Sequence, residues 1–365
     1  MNLDAVRAEL PILGRCAYLN TGTFGPLPRR TVEEMCARER DELENGRKGR
    51  PYFDEVRGLR SRVRDSICRL INAPPDSVAL TRSTSDGCNI AVASLRLSPE
   101  DEIVTTDDEH FGLLGPLHVS RARVRVARIR ERPLGEVVDA IEAEIGPRTR
   151  LIALSHVTWT TGRILPVREL TGRGIPVLVD GAQGAGAVPV DVNELGCDFY
   201  TVSGQKWLLG PDGTGALYVR PAMIERIDVP FPSYFSQESH AETGAFVPAR
   251  GALRLEPGTL PAPALAGLLA ALEFADDVGE RRFARARAMA ERCRDLLGER
   301  VEVLTPTGQA TLVSFRPRAG TPAETVASLA ERGVIVREFP GLDWVRASVG
   351  FWTSDEDLER LVAGV

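Results

Sequence analysis

Between residues 54 and 71 the segment DEVRGLRSRVRDSICRLI places apolar side chains at Val56, Leu59, Val63, Ile67 and Leu70. That spacing lays one apolar stripe along a helix. After it the pattern changes. Short apolar runs follow at 78–81 (VALT), 102–106 (EIVTT), 150–155 (RLIALS), 175–180 (IPVLVD), 198–203 (DFYTVS) and 215–219 (GALYV), separated by helical or turn-rich segments. Strands that are apolar on both faces and alternate with helices predict a mostly parallel sheet with both faces covered. The segment RARVRVARIRER (121–132) alternates arginine with small or branched apolar residues, which predicts a strand with one solvated arginine face rather than a polyanion site. Beyond Arg250 the texture shifts. An Ala/Leu helix is expected over about 262–278 and an Arg/Ala helix over about 280–297, with short strands near 301–304, 311–315, 333–337 and 345–348. The expected architecture is α/β, with a large unit of residues 17–250 and a smaller α/β unit, residues 1–16 and 251–365, closing on it.

Composition narrows the function classes. A chain of 365 residues exceeds one typical domain. A net charge of −6 and a pI near 5.5 argue against a general nucleic-acid or anionic-membrane surface. No apolar run is long enough to span a membrane, and MNLDAVRAELPILG is too acidic and too briefly apolar for a secretory signal. The six cysteines are scattered, with no CxxC and no Cys/His spacing, so no metal site is expected. A reducing cytoplasm is the expected home.

Three segments carry candidate chemistry. The run VLVDGAQGAGAVPVDV (177–192) ends a buried strand on Asp180, where open α/β sheets bind ligands; a helix N-cap is the plainer alternative. Its glycines follow the aspartate and do not fit a dinucleotide-binding G-x-G-x-x-G. The run LTRSTSDGCNIAVASL (80–95) passes from strand through Ser83, Thr84 and Ser85 into an apolar helix, which makes an anion site or an ordinary cap. Of the 45 Lys and Arg residues, two are lysine, Lys48 and Lys206. A guanidinium stays protonated and forms no imine with a carbonyl, whereas a lysine with a lowered pKa does. An anion cradle, a strand-end carboxylate able to pair with a pyridinium nitrogen and a lysine able to form a Schiff base are the protein parts that pyridoxal 5′-phosphate requires.

At this point VLVDGAQGAGAVPVDV followed by CDFYTVSGQKWLLGPDGTGALYV (197–219) resembles class V of the fold-type I pyridoxal phosphate enzymes, a group that includes cysteine desulfurases, cysteine/cystine C–S lyases and isopenicillin N epimerase. The resemblance runs from YLNTGTFGPLP (18–28) to VRASVGFWTSDEDLERLV (345–362). It implies a seven-stranded, mostly parallel sheet and a homodimer with shared sites. It also implies that Lys206 carries the cofactor and moves protons, that Asp180 keeps the ring nitrogen protonated, and that His110 stacks on the ring. Gln183 is implied to meet the ring O3′, and Thr84, Ser85, Ser203 and Gln205 to hold the phosphate. Thr259 would reach the partner subunit's phosphate. Arg346 would clamp the substrate α-carboxylate, and Asn20, Thr21 and Trp159 would line the substrate side.

Departures from the family pattern direct the choice of reaction. Desulfurases carry a nucleophilic cysteine shortly before the carboxylate arginine, but RGVIVREFPGLDWVR (332–346) has none. Gln205 stands where desulfurases often have histidine, and Thr158-Trp159 where they place an asparagine. The resemblance therefore leans to the lyase and epimerase branch. The expected reaction is β-elimination of a thiol from L-cysteine or an S-conjugated cysteine, with pyruvate and ammonia. The alternatives are decarboxylative oxidative deamination of an S-cysteinyl conjugate to an aldehyde, as in lincosamide-type secondary metabolism, or an epimerase or aminotransferase. Lys206, Asp180 and Arg346 together argue against a non-catalytic binding protein.

Overall fold

A computed structural model describes residues 1–240 and 242–365. The periodic helix spans Gly49–Leu70 and buries Val56, Leu59, Val63 and Ile67. It begins before the expected segment because Pro51 lies in the first turn, where a missing N–H costs nothing.

Each of the six apolar runs, and the arginine-rich segment between the second and third, forms a strand. These are β1 (Val78–Thr81), β2 (Glu102–Thr106), β3 (Arg123–Ala127), β4 (Thr149–Ser155), β5 (Val177–Asp180), β6 (Phe199–Ser203) and β7 (Gly215–Val219). They build a seven-stranded sheet in the order β1-β7-β6-β5-β4-β2-β3. Only β7 runs antiparallel to its neighbours, β1 and β6; the other pairs are parallel. Strand alternation divides the core in two. On β4, Leu151 and Ala153 pack with Cys88, Ile90 and Ala91 of helix Thr84–Ser94. Ile152 and Leu154 face the opposite side, with Val63 and Ile67. The arginine-rich β3 is an edge strand, with Arg123 exposed and Arg125 paired to Glu102 and Glu144. It stops at Ala127 because the Ile129 and Arg130 N–H groups donate to Asp107 Oδ1 (2.8 and 3.0 Å).

The C-terminal part contains β8 (Glu302–Val303), β9 (Leu312–Arg316), β10 (Arg337–Glu338) and β11 (Val345–Ser348), an antiparallel sheet in the order β8-β9-β11-β10. On β11, Val345 and Ala347 pack into a core with Met289, Cys293 and Leu297 of helix Arg281–Gly298. Strand alternation sends Arg346 and Ser348 to the other face. There Arg346 and Ser314 bond the carbonyls of Trp159 and Thr160 in the loop after β4.

We propose that the division between units differs from the composition change at Arg250. Leu260, Leu265, Leu268 and Leu272 share the large core with Val56 and Ile67, so helix Ala262–Val278 belongs there. Its leucines are apolar almost all round because it is packed on several sides. Conversely, Ala17 and Tyr18 pair with Val334 and Ile335, and Asn20 bridges Ser348. Residues 1–20 and about 280–365 then form the smaller unit. Among the described residues no helix is long and apolar enough to cross a membrane.

Candidate active site

Parallel strands β4, β5 and β6 end side by side on Ser155, Asp180 and Ser203, and their register sets Ser155 against Asp180. Asp180 is buried. One carboxylate oxygen accepts the Ala182 N–H (2.9 Å). Burial raises its pKa, and the Lys206 ammonium partly opposes that rise. Lys206 sits in the tight turn after β6. A side chain at Gly204 would put a Cβ 2.0 Å from Thr214 Oγ1 and 3.0 Å from the Thr214 carbonyl, so the turn closes only on glycine. The Lys206 pKa is lowered to about 8, chiefly by burial, with Arg346 and Arg337 adding and Asp180 opposing.

Helix Thr84–Ser94 starts close to this turn. Ser83 caps it, its hydroxyl accepting the Asp86 N–H at 3.1 Å. The N–H groups of Thr84 and Ser85 lie in the first turn, where helices lack internal acceptors, so they can hold an anion. The Ser203 hydroxyl donates to Gln205 Oε1 at 2.7 Å. His110 caps helix Phe111–Val119, its Nδ1 accepting the Gly112 N–H at 3.0 Å. Its ring meets the Trp159 ring edge-on, with centroids 4.9 Å apart. Burial lowers the His110 pKa to about 4, and the cations Lys206, Arg337 and Arg346 push the same way. The imidazole is therefore neutral and fixed in orientation.

Arg346 is fully buried without a carboxylate partner. It donates from Nη1 to the Trp159 carbonyl (2.6 Å) and from Nη2 to Thr23 Oγ1 (3.5 Å), while Nε has no partner. Gly22 passes so close that an added Cβ would lie 2.7 Å from Nη2. Burial lowers the Arg346 pKa to about 9, with Arg337 contributing. A buried cation lacking an anion is costly, so the site is built to receive one.

Other expected residues divide. Asn20 Oδ1 accepts from Thr23 Oγ1 (2.8 Å), which places Asn20 beside the arginines. Thr21 is fully buried with its hydroxyl unpartnered. Trp159 lies in an aromatic cluster with His110, Phe111 and Phe339, so it both packs and positions Arg346 through its carbonyl. Gln183 is engaged at both ends, donating to the Gly22 carbonyl and accepting from Trp207 Nε1, each at 2.8 Å. We therefore assign it to the 22–23 loop rather than to a ring oxygen. Thr259 is exposed, in a turn whose Gly258 carbonyl accepts from Arg60.

Sequence reasoning missed three residues. Arg337 is paired in register with Arg346 and donates from Nη1 to Thr23 Oγ1 at 3.1 Å. Thr23 thus joins both guanidinium groups. Glu109 is buried beneath Asp180, bonded to Ser155. The one available signal was the arginine in VREF, within a segment already expected to be a strand.

These groups fit pyridoxal 5′-phosphate. The helix N-terminus suits a phosphate, the buried carboxylate suits a protonated ring nitrogen, and the lysine of lowered pKa suits an aldehyde. Comparison with known proteins agrees. A family model described as aminotransferase class-V matches residues 18–361. Isopenicillin N epimerase from Streptomyces clavuligerus is 34% identical over 94% of this chain and 92% of its own. The cysteine desulfurase CsdA from Escherichia coli is 30% identical over 98% of this chain and 96% of its own. Among solved structures, a complex of the cystine C–S lyase C-DES with its reaction product cysteine persulfide superposes with a TM-score of 0.92 at 29% identity, covering 97% of this chain and 98% of that one. A lysine, an aspartate and a helix N-terminus gathered at the strand ends, on a fold shared along the full match, make this chain a member of the class-V aminotransferase family, with pyridoxal phosphate as its cofactor.

Proposed function

We propose that the protein is a C–S β-lyase acting on L-cysteine or an S-conjugated cysteine. The observation that carries this reading is a carboxylate-receiving arginine with no thiol on the segment that precedes it. Among the described residues Cys16, Cys88, Cys197 and Cys293 are buried, and Cys36 and Cys68 lie on helices Arg29–Asn45 and Gly49–Leu70. A persulfide mechanism needs an accessible thiol near the substrate sulfur. Direct release of thiol does not.

When bound, the cofactor supplies an electron sink for the charge left at Cα as its proton departs. The protein residues do the rest. Arg346 holds the substrate carboxylate, and Arg337 stands beside it to meet a second anionic group on a conjugate. Thr84, Ser85, Ser203 and Gln205 receive the phosphate. Asp180 would keep the ring nitrogen protonated, and neutral His110 would face the ring. Lys206, with its pKa lowered to about 8, takes the Cα proton. As the Cβ–S bond breaks, the electron pair left at Cα would form the Cα=Cβ bond, the sulfur would take back the proton held by Lys206 and leave as thiol, and the released enamine acid would react with water to give pyruvate and ammonia. The exposure of Thr259 supports a homodimer in which it reaches the partner subunit's phosphate. Likeness to the epimerase favours a second reading, in which the Cα proton returns to the opposite face and no C–S bond breaks.

Arg346→Ala is expected to lower kcat/KM by about 10- to 100-fold, since a charge-assisted hydrogen bond contributes roughly 1.5–3 kcal/mol. Arg346→Lys should recover only part, because an ammonium cannot copy the two-pronged geometry. Steady-state kinetics on a cysteine S-conjugate checks both. The lyase reading is tested by Cys36→Ser, which removes the exposed thiol. Turnover within a few-fold of wild type is expected, and collapse of turnover with loss of a trappable protein persulfide would restore a desulfurase.

A further inference from the structure

Glu109 is buried, and among the described residues no cation bonds to it. Its carboxyl oxygens meet the hydroxyls of Thr106 (2.6 Å) and Ser155. Thr106 ends β2 and Ser155 ends β4, which are neighbours in the sheet, so this one carboxyl joins the ends of two strands. Ser155 is in turn the register partner of Asp180. The next residue along the chain is His110.

We propose that Glu109 is a positioning residue that works as a neutral acid beneath the cofactor site, bridging Thr106 and Ser155 and leaving Asp180 as the single anion there. Two carboxylates close together in a buried space cannot both ionise cheaply, and the one with the better counter-cation keeps the charge. Asp180 has Lys206; Glu109 has hydroxyls. The groups facing Glu109 are Asp180 from β5 and the Cys88 thiol from helix Thr84–Ser94, with Lys206 beyond Asp180. On its own segment Asp107 is committed to the Ile129 and Arg130 N–H groups, Asp108 to Arg130 and Thr160, and His110 is neutral. None offers Glu109 a compensating positive charge. Burial accordingly raises its pKa from 4.5 to about 8, outweighing the hydrogen bonds from Ser155 and Thr106, which favour the anion, and Asp180 adds to the rise. A second negative charge beside Asp180 would favour protonation of Asp180 itself; a neutral Glu109 leaves Asp180 ionised to pair with the ring nitrogen.

Two readouts test this without relying on activity. Infrared spectroscopy of the holoenzyme should show the carbonyl stretch of a protonated carboxylic acid that fades as pH rises through about 8. The band should be missing in Glu109→Gln; in Asp180→Asn it should persist at low pH but fade at a lower pH than in wild type, because the push from Asp180 is gone. The second readout is melting temperature against pH. From pH 4.5 to about 8 the folded protein holds a proton on Glu109 that the unfolded chain has lost, so this group's contribution to stability falls across that window and is flat above it. Glutamine has no such proton. The melting temperature of Glu109→Gln minus that of wild type should therefore climb from pH 4.5 to about 8 and then level. A band absent from wild type, a band lost in Asp180→Asn but kept in Glu109→Gln, or a difference that is flat or falls with pH would overturn the proposal. Should Glu109→Gln fail to fold, the band's titration in wild type and its persistence in Asp180→Asn decide alone.

Discussion

Replacing Lys206 by alanine is expected to lower turnover by several orders of magnitude while leaving the fold intact. The Lys206 charge offsets the burial of Asp180, and in the holoenzyme the protonated ring nitrogen would supply that offset instead, so the fold does not depend on the amine. What the variant loses is an amine that can bond to an aldehyde and take a proton from Cα. At the lowered pKa of about 8, roughly one amine in ten is neutral at pH 7, against about one in a few thousand for an ordinary lysine. Burial makes this difference, and the neighbouring Arg346 and Arg337 reinforce it. Lys206→Arg should be equally inert, because it keeps the charge and loses the nucleophile. Absorption spectra should show that the cofactor in either variant is no longer bonded to the protein, and an unchanged melting profile of the cofactor-loaded protein would locate the defect in chemistry. Near-normal turnover in either variant would remove Lys206 from its role.

Asp180→Asn is expected to cost about 10²- to 10³-fold in kcat with little change in fold. An amide can still accept the Ala182 N–H but cannot hold a proton on the ring nitrogen by charge. Removing one preorganised electrostatic partner of developing charge typically costs about 2.7–4 kcal/mol, or roughly 10²- to 10³-fold in kcat. Asp180 is buried at the end of β5, so water cannot replace the lost anion. Stopped-flow measurement of Cα-proton loss should show the defect in that step rather than in substrate binding. Full activity with an unaltered spectrum would refute the ring-nitrogen role.

Asp180 and Lys206 were legible in the sequence because local pattern carries each of them. An apolar run ending on an acid places that acid at a strand end, and a lysine in an arginine-rich chain points to chemistry that arginine cannot perform. The family resemblance then supplied His110, Arg346 and the phosphate residues. Arg337, Thr23 and Glu109 were not legible, because their significance depends on contacts distant in sequence. Arg337 matters through its antiparallel register with Arg346, Thr23 through a loop that returns from the start of the chain, and Glu109 through Ser155 on another strand. Gln183 is a case where the motif alone suggests a role that the contacts leave us to reassign. Its motif is plain, but Trp207 and Gly22 occupy both ends of its amide. The proposed shift of the boundary away from residue 250 rests on the Ala/Leu helix, whose leucines share the large core although its composition reads as a change of texture.

The central claim is that this site breaks a C–S bond without a protein thiol. Its most direct test is product stoichiometry with a cysteine S-conjugate, measured together with CO2 and with the configuration of recovered substrate. The account predicts thiol, pyruvate and ammonia in equal amounts, with no CO2. Stoichiometric CO2 without thiol would contradict it in favour of the aldehyde-forming reaction, and inverted substrate without thiol would contradict it in favour of an epimerase.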